Sequence, residues 1–182
     1  VKRVPYKAGV IKAGTGYANI SDYELKTMKV AALTQKETGV PISIHTQLGT
    51  MGYEDAQYLI EQGADPEHVI ICHVQKDPDR FYHKKILDTG VYICYDGPDR
   101  AKYYPDSVHV DNLKWLIEHG YQKKILLSMD AGRASYQKYH MAKLGKEANG
   151  ISYLITRFTD EMREAGISDE AIQDLLINNA AK

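Results

Sequence analysis

The stretch AGVIKAGT (residues 8–15) decides how the rest of the chain is interpreted. It is an apolar run of strand length with one lysine, Lys12, in its middle. A lysine centred in a buried strand would lose its hydration, which is costly unless another group pairs with the amine or modifies it. The alternative is that Lys12 lies near the end of the strand and extends its amine to solvent.

Three further apolar runs end in residue types that bind metal ions. They are ISIH (42–45), VIICH (69–73) and ILLSMD (125–130). Their last residues are His45, His73 and Asp130, and imidazole and carboxylate groups suit Zn²⁺, Mn²⁺ or Co²⁺. A single histidine at a strand end is more often structural. Two histidines, an aspartate and a lysine on four separate strands favour a metal site.

Strands and helices alternate along the chain, which predicts a parallel α/β sheet built from right-handed βαβ units. The predicted strands cover residues 8–15, 40–46, 69–74, 91–96 and 124–129. The predicted helices open at the capping box of Ser21 and Glu24 and then cover about 53–63, 79–87, 110–119, 151–165 and 168–177. The strand-end residues recur at intervals of about one βα unit, which favours a barrel. A doubly wound sheet is the alternative, but no Gly-rich phosphate fingerprint follows the first strand.

Chain length limits how much of a barrel is present. A closed (β/α)8 TIM barrel takes about 250 residues, whereas this sequence has 182 residues and five predicted strands. We therefore expect a single domain over residues 1–182 that covers about strands 4 to 8 and is incomplete at its N-terminus.

Composition indicates an ordinary globular chain, with 43% hydrophobic residues, 26% charged residues and a formal net charge of −1. The basic residues are scattered, so we expect no nucleic acid and no membrane partner. Cys72 and Cys94 each fall inside an apolar strand, which favours reduced core thiols. Reduced thiols of this kind favour a cytoplasmic protein.

Four motifs together resemble those of a known family. VIK (10–12), SIHT (43–46), ICH (71–73) and LSMD (127–130) are similar to the fourth, fifth, sixth and eighth strand motifs of phosphotriesterase-like enzymes. These enzymes are binuclear metal hydrolases of the amidohydrolase superfamily. The resemblance extends along the whole chain, and the order and separation of all four motifs make it specific.

The resemblance implies a role for each residue. Lys12 would carry a carbamate derived from CO₂ and bridge two divalent metal ions, with zinc favoured and manganese or cobalt as alternatives. His45 and His73 would bind the more exposed ion. Asp130 would bind the other ion and act as the catalytic general acid/base, while a hydroxide shared by the metals attacks the substrate.

The sequence departs from the family pattern in two places. The family supplies two further ligands from a His-x-His motif on its first strand, and this sequence contains no His-x-His. Many relatives also carry an aspartate shortly after the sixth-strand histidine to relay protons. Here Gln75 and Lys76 occupy the corresponding stretch after His73, so we do not expect that relay.

Cationic and tyrosine residues in two loops indicate the substrate class. The loop after the fourth predicted strand contains Arg100 and Lys102, and Arg133 and Tyr136 follow Asp130. The pattern resembles the branch of the family that hydrolyses phosphorylated sugar lactones, in which Lys102, Arg133 and Tyr136 would hold the phosphate. Each of these residues could equally be a solvated loop residue. The family resemblance also implies a homodimer.

Three functions therefore remain open. The first is a metal-dependent lactonase acting on phosphorylated sugar lactones. The second is a phosphotriesterase or carboxylesterase-like hydrolase that uses the same metals, and the third is a non-catalytic α/β fragment with an incomplete site. We interpret the other five histidines as surface residues: His68, His83, His109, His119 and His140.

Overall fold

The structure, a computed structural model, describes residues 7–131 and 152–181. It contains a five-stranded parallel sheet in the order β1-β2-β3-β4-β5, which confirms the predicted α/β class. The strands are β1 (Ile11–Thr15), β2 (Ile42–Thr46), β3 (Val69–Cys72), β4 (Tyr92–Tyr95) and β5 (Ile125–Leu127).

Helices connect the strands, as the alternation of patterns predicts. They are α1 (Asp22–Thr38), α2 (Gly52–Glu61), α3 (Arg80–Leu87), α4 (Asp106–Glu118), α5 (Thr159–Glu164) and α6 (Asp169–Gln173). A π-helical stretch, Leu154–Phe158, precedes α5, and another, Asp174–Asn178, follows α6. The capping box is confirmed, because the Glu24 backbone donates to the Ser21 hydroxyl while the Glu24 carboxylate accepts from the Ser21 backbone.

Two predicted boundaries differ for local reasons. The third strand ends at Cys72 because His73 has a left-handed φ of 69°, which a strand cannot continue through. Helix α4 begins at Asp106, four residues before the predicted start, because Pro105 sits at its N-cap with an extended backbone. The apolar pattern used for the prediction starts only at Val110, one turn into the helix.

The chain forms two compact units. The first contains the residues up to Val74 together with Phe81–Ile93, and the second contains Gln75–Arg80 and the residues from Cys94 onward. In the first unit α1 packs on β1 and β2, and α2 packs on β3. Its fully buried side chains include Met28, Ile42, Ile44, Leu59 and Ile71.

The second unit has its own apolar core. Helix α4 packs against α5, and the π-helical stretch after α6 packs against β5. Its fully buried side chains include Tyr95, Leu113, Leu116, Ile125 and Phe158. Cys72 of the first unit and Cys94 of the second are both buried free thiols, as the sequence predicts.

Candidate metal site

Strand register places Lys12 and His45 on the same face of the sheet in the first unit. Lys12 pairs with Ser43 and Gly14 pairs with His45 in the parallel β1–β2 ladder. Because alternate residues of a strand point to the same face, these four residues share one side. The other side of β2 is fully buried, whereas Ser43 and His45 are half-buried.

Gly14 leaves the space that His45 occupies. A Cβ atom added at Gly14 would lie 2.8 Å from the Cβ of His45 and 3.1 Å from its carbonyl oxygen. Both distances are shorter than ordinary van der Waals contact. Gly14 is therefore a site residue that sequence reasoning missed, although its position two residues after Lys12 on the same strand face was a usable signal.

The two predicted histidine ligands are in contact. The ring centroids of His45 and His73 are 4.6 Å apart, with an angle of 72° between the ring planes. His73 follows the last residue of β3 and is buried. The Thr46 hydroxyl donates a 2.7 Å hydrogen bond to the carbonyl of Cys72. This bond fixes the Cys72 carbonyl group, which directly precedes the left-handed residue His73.

Hydrogen bonding indicates the protonation of one imidazole. The Nε2 atom of His45 lies 3.1 Å from the side-chain oxygen of Gln47, which can only accept. Nε2 is therefore the donor in this contact. A neutral imidazole with one lone pair is the form that binds metal ions.

The structure decides between the two alternatives for Lys12. Its side chain is exposed, and it is the second residue of β1, three residues before the strand's end. Of the two alternatives given by the sequence, the structure agrees with an amine that reaches solvent, although Lys12 lies near the start of β1 rather than at its end. The Nζ atom donates to the Ser43 hydroxyl at 3.1 Å, and that hydroxyl lies 3.3 Å from the thiol of Cys72.

The donor types in the first unit fit a divalent metal ion. Two imidazoles in contact supply nitrogen ligands of the kind that zinc binds, and a carbamate on Lys12 would add oxygen ligands. Within residues 7–131 and 152–181, however, no group of three or more His, Cys, Asp or Glu side chains could hold an ion. The histidines therefore form a ligand pair rather than a closed site.

A buried carboxyl group lies at the end of β1. Asp55 is fully buried in α2, and one of its oxygens accepts a 2.8 Å hydrogen bond from the Thr15 hydroxyl. Its other oxygen has no hydrogen-bond partner. Burial raises the pKa of Asp55 to about 7, with smaller contributions from Glu54 and Glu24, whereas the Thr15 bond opposes the rise.

Asp130, the predicted catalytic residue, is paired with an arginine of the second unit. Arg100 Nη1 donates to Asp130 Oδ2 at 2.9 Å. Arg100 Nη2 donates to the main-chain carbonyls of Asp130 at 2.7 Å and of Met129 at 3.3 Å. Asp130 follows β5 with a left-handed φ of 43°. Arg100 lies in the loop after β4, whose cationic residues the sequence analysis considered only for binding a substrate phosphate.

Gln75 makes a structural contact in the second unit. It lies in the stretch where many relatives carry the proton-relay aspartate. Gln75 and Asp96 are both buried, and the Gln75 amide donates to the Asp96 carboxylate at 3.0 Å. The Asp96 backbone donates back to the Gln75 side chain at 3.3 Å. Gly97 permits this pair, because a Cβ atom there would lie 2.5 Å from the Gln75 amide nitrogen.

The predicted phosphate-binding residues are only partly described. Lys102 is exposed, and its Nζ atom lies 4.6 Å from the ring centroid of Tyr103. The Nζ atom of Lys76 lies 5.3 Å from the same ring, so two cations surround one tyrosine. Arg133 and Tyr136 lie outside the described residues.

Two of the five other histidines correct the prediction that all are surface residues. His83 is fully buried, and its Nε2 donates to the Val74 carbonyl at 2.9 Å. His109 is also buried, and burial lowers its pKa. Both lie on the inner faces of amphipathic helices, where a single histidine is difficult to distinguish from a surface residue. His140 lies outside the described residues.

A parallel α/β sheet with imidazole, amine and carboxylate groups near the ends of its strands is typical of metal-dependent hydrolases. The phosphotriesterase family model matches residues 2–182. The chain therefore belongs to the phosphotriesterase family, whose members are binuclear metal-dependent hydrolases. In the part that the structure describes, the helices are too short or too polar to cross a membrane.

Individual relatives support this membership. The chain is 51% identical over 180 residues to a phospho-furanose lactonase of Mycoplasmopsis synoviae, covering 98% of this chain and 51% of that protein. It is 55% identical over 180 residues to a phospho-furanose lactonase of Mycoplasmopsis agalactiae, with the same coverage. The crystal structure of an amidohydrolase from Mycoplasma synoviae matches with a TM-score of 0.92 at 51% identity, covering 98% of this chain and 51% of that one.

The chain spans about half the length of these relatives. The matched structures are phosphotriesterase-like TIM barrels, in agreement with the parallel sheet of this chain.

Proposed function

We propose that the protein is a metal-dependent lactonase that hydrolyses phosphorylated sugar lactones. The contact between His45 and His73, at the ends of two adjacent parallel strands, is the observation that carries the proposal. Relatives about half identical to this chain are named phospho-furanose lactonases. In this proposal the five strands correspond to strands 4 to 8 of the family's barrel.

We assign the metal-binding roles residue by residue. His45 and His73 provide imidazole nitrogens, and Lys12 provides oxygens after its amine reacts with CO₂ to form a carbamate. Carboxylation would convert a cationic amine into an anionic ligand, and exposure of Lys12 leaves its amine accessible to CO₂. When bound, two divalent ions, with zinc favoured, would polarise the lactone carbonyl and make the attacking water more acidic.

Asp130 acts in this proposal as a metal ligand and as the group that moves the proton. Its carboxylate would take a proton from the attacking water and deliver it to the leaving alkoxide of the opened ring. Of its two oxygens, Oδ2 accepts from Arg100, so the metal and proton roles would fall mainly to Oδ1.

Cations in the second unit support a phosphorylated substrate. Lys102 and Lys76 both lie over the Tyr103 ring, and like charges held on one ring favour an anionic ligand nearby. We assign the phosphate to Lys102, with Arg133 and Tyr136 as further contacts. A neutral phosphotriester would gain nothing from these cations, so a phosphotriesterase is the weaker assignment.

Turnover and metal content together test the proposal on the protein in its full natural length. We expect about two metal ions per chain by elemental analysis, and faster hydrolysis of a phosphorylated furanose lactone than of its unphosphorylated analogue or a neutral phosphotriester. Lys12→Ala should abolish both metal and turnover. Lys29→Ala, at an exposed position in α1, is the matched control and should change neither.

Two results would contradict the proposal. A metal-free protein without lactonase turnover would leave only a barrel scaffold. Equal turnover of the phosphorylated and unphosphorylated lactones would retain the lactonase but remove the phosphate assignment.

A further inference from the structure

We propose that Arg100 is a positioning residue, which holds the Asp130 carboxylate in the orientation needed for catalysis. This inference rests on the proposed function, in which Asp130 binds metal and transfers the proton. It adds a residue outside the metal-binding and phosphate-binding sets.

The first observation is the pattern of hydrogen bonds from one guanidinium. Nη1 of Arg100 bonds the Asp130 carboxylate, and Nη2 bonds the Asp130 and Met129 carbonyls. The same planar group therefore contacts both the side chain and the main chain of Asp130. Because the guanidinium is rigid, these bonds fix the direction of the carboxylate relative to its own backbone.

The second observation is the backbone conformation at Asp130. Its φ of 43° lies in the left-handed region, which is unfavourable for residues other than glycine, although less so for aspartate than for most. Hydrogen bonds from Arg100 to the two carbonyls at this turn offset that cost. Arg100 therefore stabilises the left-handed conformation at Asp130.

The third observation is that Arg100 is itself held in place. Its side chain is only 12% exposed, so water competes weakly for the guanidinium. Its backbone donates to the Gly97 carbonyl at 3.2 Å and accepts from the Tyr103 backbone at 2.9 Å. The neighbouring Asp99 backbone donates to both carboxylate oxygens of Asp106 at 3.0 Å. An ion pair held in this way contributes more than an exposed surface pair.

The positions of Arg100 and Lys102 in one loop separate their roles. Lys102 is exposed and is assigned to the substrate phosphate, whereas the Arg100 guanidinium is directed to Asp130. Loss of Lys102 should weaken substrate binding, which appears as a higher KM for the phosphorylated substrate. Loss of Arg100 should slow the chemical step, which appears as a lower kcat.

The test compares Arg100→Ala and Arg100→Lys with Arg157→Gln, a matched control at an exposed arginine of the same unit. We measure kcat and KM on a phosphorylated furanose lactone, Mn²⁺ affinity by calorimetry, and Tm. Both Arg100 variants should lower kcat roughly 100-fold, as expected for a small misplacement of a reacting group, with KM changed less than about threefold. Arg100→Lys should lose activity because a single ammonium group cannot reproduce the hydrogen bonds that the planar guanidinium makes to both the side chain and the main chain of Asp130.

Chemical rescue supplies a readout that a purely structural role would not give. Methylguanidinium added to Arg100→Ala should restore part of kcat by occupying the vacated position, and should not affect Arg157→Gln. Mn²⁺ affinity should fall about tenfold or more in both Arg100 variants, because residues that orient a metal ligand typically have effects of this size.

Each outcome decides the inference. Wild-type kcat in Arg100→Lys, or a loss that appears only in Tm, would overturn it while leaving the lactonase assignment intact. If the wild-type protein binds Mn²⁺ but does not hydrolyse the lactone, the proposed function fails. In that case the role of Arg100 is judged from metal binding alone, and unchanged Mn²⁺ affinity in both Arg100 variants would overturn the inference. Absence of both metal binding and turnover would overturn both.

Discussion

Three polar groups of the first unit contact neutral partners, whereas two carboxylates of the second unit contact groups of opposite charge. The first unit pairs His45 with Gln47, Lys12 with Ser43, and Asp55 with Thr15. The second unit pairs Asp130 with Arg100 and Asp174 with Lys123. A neutral partner adds no charge beside a buried group, while an ionic partner stabilises the ionised form of a carboxylate.

The pH dependence of stability gives the largest test of this difference. The pKa of Asp55 is about 7 in the folded protein, against 3.8 for an ordinary aspartate, because burial without a compensating charge favours the protonated form. This stabilisation is fully present below about pH 4 and is lost as pH rises to about 7. A shift of this size corresponds to about 4 kcal/mol at most.

Asp55→Asn should therefore remove that dependence. Urea unfolding at a series of pH values from 4.5 to 7.5 should show wild-type stability falling with pH and a flatter profile for the variant. Glu61→Gln, at an exposed position in the same helix, should retain the wild-type slope. An unchanged slope in Asp55→Asn would show that Asp55 does not remain protonated in the folded protein.

The second prediction concerns the space beside His45. Gly14→Ala places a methyl group 2.8 Å from the Cβ of His45, so the β1–β2 pairing or the imidazole must shift. We expect turnover to fall roughly 100-fold, since small displacements of site residues have effects of that size. Gly9→Ala is the matched control, because its added methyl group meets no atom within 4 Å. Full activity in Gly14→Ala would mean that the position of His45 is not critical.

The third prediction makes the same change in the second unit. Gly97→Ala places a methyl group 2.5 Å from the Gln75 amide nitrogen and should break the buried Gln75–Asp96 pair. We expect a loss of roughly 2 kcal/mol in the free energy of unfolding, from overpacking and from buried polar groups left unpaired. Urea denaturation checks this value, with Gly9→Ala again as the control. A variant as stable as wild type would show that Gln75 can move without cost.

The sequence predicted the fold well because the relevant signals are local. Apolar runs of strand length and the capping box at Ser21 each act within a few residues, and the structure confirms them. The order of the four motifs also predicted the family correctly. Boundaries shifted where a single backbone conformation, as at His73, interrupted a continuous apolar run.

Contacts distant in sequence account for what the sequence could not predict. Arg100 and Asp130 are thirty residues apart, and Thr15 and Asp55 forty, so no pattern along the chain connects them. The apolar neighbours of Lys12 left its burial or exposure open, because that depends on which strands flank β1. Gly14 carries no functional group, so its importance appears only when the position of the neighbouring strand is known.

The smallest effect is expected at the ionic contacts of the second unit. Asp174 accepts hydrogen bonds from Lys123 at 2.5 Å, from Gln122 and from Asn178, and these lower its pKa to about 2 from the ordinary 3.8. The sign is opposite to that of Asp55. The ionised form is favoured on folding, so its stabilisation is present above about pH 4 and is lost as pH falls through about 2.

Asp174→Asn should therefore destabilise the protein at pH 7 by about 1 kcal/mol, a modest value because Lys123 is largely exposed and its charge is screened. Urea unfolding should show this loss of unfolding free energy at pH 7 and a smaller loss at pH 3. Asp111→Asn, at an exposed position in α4, is the matched control and should show no loss at either pH. If Asp55→Asn and Asp174→Asn changed the pH profile in the same direction, the contrast between neutral and ionic partners would be wrong. Opposite changes in one assay would show that charge compensation, rather than burial alone, distinguishes Asp55 from Asp174.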